Sequence, residues 1–195
     1  MSEVELPNTE ELGELRSKKF TKRVALTTAI FAVILAITSL GGNNAMKDML
    51  LAQQQSSDQW AFYQSKVIRE HFYKVERMRI EAQLDLQGAS MKPDVREKYR
   101  EMLKTIGDEE RRFNAEKKKI EQDAKNLERE RDVNRSKDPY FDYAEVLLQI
   151  SIVMASISIL VVSRSIFYFA LLSAGLGSLF MINGYLLIIR LPFFQ

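Results

Sequence analysis

Three stretches of the chain carry no aspartate, glutamate, lysine or arginine, and they decide most of what it can fold into. Val24–Leu40 and Val146–Val162 hold 17 residues each, and Ile166–Ile189 holds 24. A helix that crosses a bilayer needs about 20 mostly apolar residues, within a range of about 17–25. Gly41 and Gly42 can lengthen the first run, and Tyr143 and Ala144 the second. Wrapping three such helices in protein would take more polypeptide than 195 residues supply. The runs predict three transmembrane helices and exclude an ordinary soluble domain. The first run exceeds the apolar stretch of a cleaved signal peptide and follows 23 residues, so it reads as a retained signal-anchor.

The charge that the runs lack sits mainly between the first two. From Lys47 to Asp138 there are 21 basic and 19 acidic residues. The net charge of +2 therefore reports balance within this segment and no general affinity for acidic partners. The absence of cysteine excludes disulfides, thiolate catalysis and Cys-based zinc or iron–sulfur sites. A single histidine, His71, excludes a multi-His metal site within one chain. There is no H-E-x-x-H, no P-loop and no G-x-S-x-G. These absences lead to the expectation of a non-enzymatic protein without cofactor or metal.

The charged segment reads as two helices, about 45–86 and 93–133, separated by Gly88-Ala89-Ser90-Met91-Lys92. Pro93 suits the first position of the second helix, and Asp94 and Glu97 suit its first turn. That helix carries a heptad. Tyr99, Ile106, Phe113, Ile120 and Leu127 take the d positions, and Leu103, Glu110, Lys117 and Ala124 the a positions. Charged a residues such as Glu110 and Lys117 lower stability but set register and partner. The first helix offers Ile68, Phe72, Val75, Arg79, Ala82 and Leu86 at spacings of four and three, widened by Trp60, Tyr63, Val67 and Met78. Two helices of similar length between two spans predict an antiparallel coiled-coil hairpin. Their apolar surface exceeds what one partner covers, so a homo-oligomer is expected. Lys117-Lys118-Lys119 is flanked by Glu116 and Glu121 and reads as a solvated face, with no nucleic acid as partner. His71 reads as a surface or packed histidine, the sharper alternative being a pH switch or a ligand ring in an oligomer.

Orientation follows from Lys18, Lys19, Lys22 and Arg23 before the first span, Arg164 in a turn Ser163-Arg164-Ser165, and Arg190 after the third. These place the N-terminus in the cytoplasm and the charged segment outside, in the periplasm of a Gram-negative cell. Tyr140, Phe141, Tyr143, Phe193 and Phe194 would mark the outer interface, and Phe20, Phe167 and Tyr168 the inner one. The expected layout is an N-terminal cytoplasmic tail over 1–21, with Thr9 capping a short helix, and span one over 22–42. An extracytoplasmic hairpin follows over 43–143, then span two over 144–163, span three over 166–190 and a tail over 191–195. The fold class is an all-α membrane protein with three transmembrane helices. Gln149 and Asn183 are the strongest polar groups within the spans. They read as links between neighbouring helices, or as pore lining in the alternative. Ala25, Ala29, Ala32 and Ala36 on span one, and Ser173, Gly177 and Gly184 on span three, form small-residue stripes that permit close helix approach.

The stretch from Lys22 to Tyr73 contains Ser57-Asp58-Gln59-Trp60-Ala61-Phe62-Tyr63-Gln64-Ser65-Lys66 and then His71. It resembles the bacterial membrane family called domain of unknown function 4337, which carries a similar Ser-Asp-x-Trp-x-x-Tyr-Gln-x-Lys motif after its first span. The resemblance implies the same layout and no catalytic residue. It singles out Ser57, Asp58, Trp60, Tyr63, Gln64 and Lys66 as a packing knot or docking surface. The expected function is an oligomeric inner-membrane scaffold or docking protein that meets membrane lipid through its spans and a protein partner through its hairpin. The alternatives are a pore or transporter subunit formed by oligomerisation, and an accessory subunit of a larger membrane complex.

Overall fold

The computed structural model describes residues 9–189, with side-chain surroundings from Glu14 onward. Thr9 and Arg190, Phe193 and Phe194, named above, have side chains outside this range. Three helices account for 94% of the described residues, which contain no strand. They are α1 (Thr9–Gln87), α2 (Pro93–Leu160) and α3 (Arg164–Leu186). Each contains a stretch long and apolar enough to cross a membrane. Only about a quarter of each such stretch is buried (22%, 28% and 22%), so most of its apolar surface faces outward, as it does for helices solvated by lipid.

Two compact units form. One takes the described residues up to Met49 together with those from Val133 on, and the other is Leu50–Asp132. Helices α1 and α2 run without a break from the apolar stretches into the charged ones. Helix α1 does not stop at Gly41-Gly42, although glycines often mark a break, because here they serve packing and not a turn. A Cβ at Gly41 would stand 2.5 Å from Tyr185 Oη and 2.6 Å from the Phe141 ring. Pro139 lies inside α2, where it cannot donate to the Arg135 carbonyl.

In the first unit the apolar stretches pack through small residues. Gly177 faces the Ala144 carbonyl and the side chains of Leu147 and Leu148, and Gly184 faces Phe141. Ser173 Oγ donates to the Leu147 carbonyl of α2 at 2.8 Å. Tyr185 Oη donates to the Ile37 carbonyl of α1 at 3.0 Å. Val24, Phe31, Leu148, Ala155, Ala170 and Ala174 form the buried core. Hydroxyls on the apolar stretches return to their own helix: Thr28 to Val24, Thr38 to Ile34, Ser151 to Leu147 and Ser158 to Ala155. A hydroxyl bonded this way leaves no unpaired donor in a medium without water.

Several expectations change here. The span-three stripe Ser173, Gly177 and Gly184 is buried, but Ala25, Ala29, Ala32 and Ala36 are exposed, because α1 turns Val24, Phe31 and Thr38 inward instead. Tyr140 and Phe141 are 2% exposed; Phe141 fills the space that the glycines leave and Tyr140 Oη donates to the Ile189 carbonyl at 2.9 Å, so only Tyr143 of the described outer aromatics lies open. The turn between α2 and α3 ends at Ser163, and Arg164 and Ser165 already belong to α3. The turn is a Schellman pair: Ser163 N–H donates to the Ser158 carbonyl and Val162 N–H to that of Ile159. Its left-handed position, usually glycine, is Val162 at φ 51°.

Candidate functional site

The motif residues lie in the second unit, on the part of α1 that meets α2. Contact partners on α2 fall in number as those on α1 rise. Gln53 accepts from Arg131, Trp60 Nε1 donates to Glu128 at 2.9 Å, and Lys66 Nζ donates to Glu116 at 2.5 Å. Glu70 accepts from Asn114 Nδ2 at 2.7 Å and from Lys117. Tyr73 stacks on Phe113 with ring centres 5.5 Å apart, and Arg77 Nε lies 3.2 Å from Glu110 Oε2.

Phe113 is the centre of this seam. It is buried among cations: Lys66, Arg69 and Arg112 sit 5.2, 6.0 and 4.9 Å from its ring centre. A ring face attracts such charges. The carboxylates respond to their partners. Burial pushes the Glu70 carboxyl up, but the bonds from Lys117 and Asn114 outweigh it and hold it below its ordinary value. The bond from Lys66 does the same for Glu116. Opposite charges thus neutralise each other across the seam, which selects one register of α1 against α2.

The motif divides. Trp60, Tyr63 and Lys66 turn toward the seam, and Trp60 meets Tyr63 edge to face at 5.4 Å. Ser57, Asp58 and Gln64 are exposed; Ser57 and Asp58 accept bonds from Gln53 and Gln54 one turn back. Asp58 and Lys66 do not come together, since Lys66 reaches across to Glu116. His71 is exposed, and its Nδ1 donates to the Val67 carbonyl at 2.8 Å. Glu110 and Lys117 both lie in the seam with opposite charges of α1 as partners.

The face expected for α1 is a correction. Ile68, Phe72, Val75, Met78 and Leu86 are 57–85% exposed, and Arg79 and Ala82 are exposed with them. The side of α1 that meets α2 carries Tyr63, Lys66, Glu70, Tyr73, Arg77 and Ile80. It wins because Lys66, Glu70 and Arg77 supply partners for Glu116, Lys117 and Glu110, which a purely apolar face would leave as desolvated charges. Glu70, Arg77, Phe113, Asn114, Glu116 and Glu128 were not singled out as site residues. The legible signal was the alternation of charge between Glu70 and Arg77 on α1 and Glu110 and Lys117 on α2.

In the apolar unit, Asn183 is bound to the segment that follows α3. Its Nδ2 donates to the Ile189 carbonyl, and its Oδ1 accepts from the Ile189 N–H. Gln149 is exposed on α2. Among the described residues no group of three or more His, Asp or Glu is placed to hold a metal ion.

Three long helices, each with a stretch able to cross a membrane, and an ion-paired seam between charged stretches define the class as an all-helical protein of the membrane type. The model of the family described as Domain of unknown function (DUF4337) matches residues 20–187, and the chain belongs to that family. No curated protein and no solved structure matches it.

Proposed function

We propose that the protein is a non-enzymatic, oligomeric inner-membrane scaffold or docking protein that presents a periplasmic antiparallel coiled-coil hairpin. The observation that carries this reading is the second apolar face of α1. Ile68, Phe72, Val75 and Leu86 are 69%, 66%, 64% and 85% exposed on a helix whose other side is already occupied by α2. Coiled-coil spacing with no partner among the described residues fits a second copy, which would bring its own identical stripe. The outward alanines of α1 and the exposed Gln149 of α2 support the same reading. Small residues and amide side chains mediate contacts between helices in lipid.

The chain has no cysteine, so single cysteines can be introduced on a clean background. Phe72→Cys in native membranes should give a discrete disulfide-linked dimer, and Lys118→Cys, on an exposed face of α2, should give little. Monomer alone from Phe72→Cys at every expression level would refute the proposal. The second reading, a conduit formed by oligomerisation, draws only on Gln149, because the Asn183 amide is occupied by the Ile189 backbone. Ion flux in liposomes that is abolished by Gln149→Leu would favour it.

A further inference from the structure

At one end of the apolar unit, α1 and α3 enclose a groove of about 310 Å³ lined by Arg16, Lys19, Phe20, Arg23, Arg164, Phe167 and Tyr168. The α1 residues recur at i, i+3, i+4 and i+7, and those of α3 at i, i+3 and i+4, so each set occupies one face of its helix. Four cations converge, and none has a carboxylate within ion-pair distance among the residues from Glu14 onward; the neighbouring Glu14 pairs with Lys18 instead. Four like charges in one groove repel each other, an arrangement that an anion stabilises.

The groove also has an apolar floor. Phe20 and Phe167 meet edge to face with ring centres 5.9 Å apart. Arg23 immediately precedes the uncharged run of α1, and Arg164 stands two residues before that of α3. The positive end of the α3 dipole falls at Arg164, and Ser163 gives it no side-chain cap. A free phosphate would use the cations and leave the aromatic floor idle. A ligand with a phosphate head and acyl tails would use both.

We propose that this groove is a binding site for the headgroup of an anionic phospholipid, with the phosphate between Arg16, Lys19, Arg23 and Arg164 and the first carbons of the acyl chains against Phe20 and Phe167. The site takes one lipid from the surrounding bilayer by headgroup charge. It does not depend on whether the hairpins oligomerise, and cross-linking at position 72 does not report on it.

The test uses the full chain in gentle detergent. Retention of phosphatidylglycerol or phosphatidylcholine is read by native mass spectrometry, with inorganic phosphate as a third arm. The wild type should retain phosphatidylglycerol about tenfold better than phosphatidylcholine, given the attraction of several basic residues at a membrane surface. The double variant Arg16→Gln, Arg164→Gln should lose that preference. Lys18→Gln, Lys22→Gln, which removes the same charge outside the groove, should keep it. Arg16→Lys, Arg164→Lys keeps the charge and should hold most of the preference, which guards against a neutral variant that fails to fold. Equal losses from both neutral pairs would mean diffuse surface charge and overturn the site. Displacement of the lipid by millimolar phosphate would overturn the lipid as its occupant.

Discussion

The two units are held together by opposite means. In the apolar unit the helices approach through Ser173, Gly177 and Gly184, and hydroxyls bond backbone carbonyls of their own helix or, from Ser173 and Tyr185, of a neighbouring one. In the charged unit the seam is built from Lys66–Glu116, Glu70–Lys117 and Arg77–Glu110 around Phe113. The difference follows from what surrounds each. Lipid gives no hydrophobic drive between helices, so contact rests on close approach and on leaving no polar group unpaired. Water supplies that drive but also competes for every charge, so ion pairs add little strength and chiefly choose register.

If the apolar unit depends on close approach, bulk should break it hardest. Gly177→Leu should destabilise the protein by about 3 kcal/mol, because the new side chain meets the Ala144 carbonyl and two leucines with no room to move. Gly175→Ala, on a glycine with nothing within 4 Å, should be neutral or slightly stabilising. Thermal unfolding in detergent, followed by circular dichroism, measures both. Equal effects would break the contrast.

In the charged unit, Glu70→Ala should cost about 2 kcal/mol, since it leaves Lys117 partly buried without its partner. Glu121→Ala, from the more exposed pair with Lys125, should cost about 0.3 kcal/mol. The only tryptophan, Trp60, lies in this unit, so its fluorescence follows the seam.

The same reporter sharpens the comparison with pH. The folded Glu70 carboxyl titrates below its ordinary value of 4.5. Its contribution is therefore complete above that value and fades as pH falls through the lower folded value. Acid should loosen the Trp60 environment in that window, and Glu70→Gln should remove this component. An effect of opposite sign is expected at the turn between α2 and α3. Val162→Gly relieves a β-branched residue of a left-handed backbone and should stabilise by about 1 kcal/mol, read as a higher unfolding temperature.

The three helices were legible because uncharged runs of 17 and 24 residues have few other fates. The α2 heptad was legible too: its d positions Ile106, Phe113 and Ile120 are buried. The paired side of α1 was not, because that helix carries two stripes and the more apolar one faces outward. Counting apolar residues on one helix favours Ile68, Phe72 and Val75. The choice is made by the charges of the other helix, through Glu110 and Lys117, and no single-helix pattern contains that information. The motif was legible as a unit of sequence but not as a unit of structure, since Trp60, Tyr63 and Lys66 face α2 while Ser57, Asp58 and Gln64 do not. The continuity of the helices was hidden because Gly41-Gly42 and Pro139 carry the residue types of a break while packing keeps the helix intact.

Phe141 offers a different use of the same packing. Its side chain lies against Gly41, Gly42 and Gly184, three positions on two other segments of helix, and a Cβ at any of them would come within 3.1 Å of one of its atoms. No one of these four residues is therefore free to drift alone. A larger side chain at 41 or 184 needs a smaller one at 141, so Phe141→Ala should partly rescue Gly184→Ala. Among other members of the family, these positions are expected to change together, as a linked exchange of volume that leaves its trace in inheritance and not in charge.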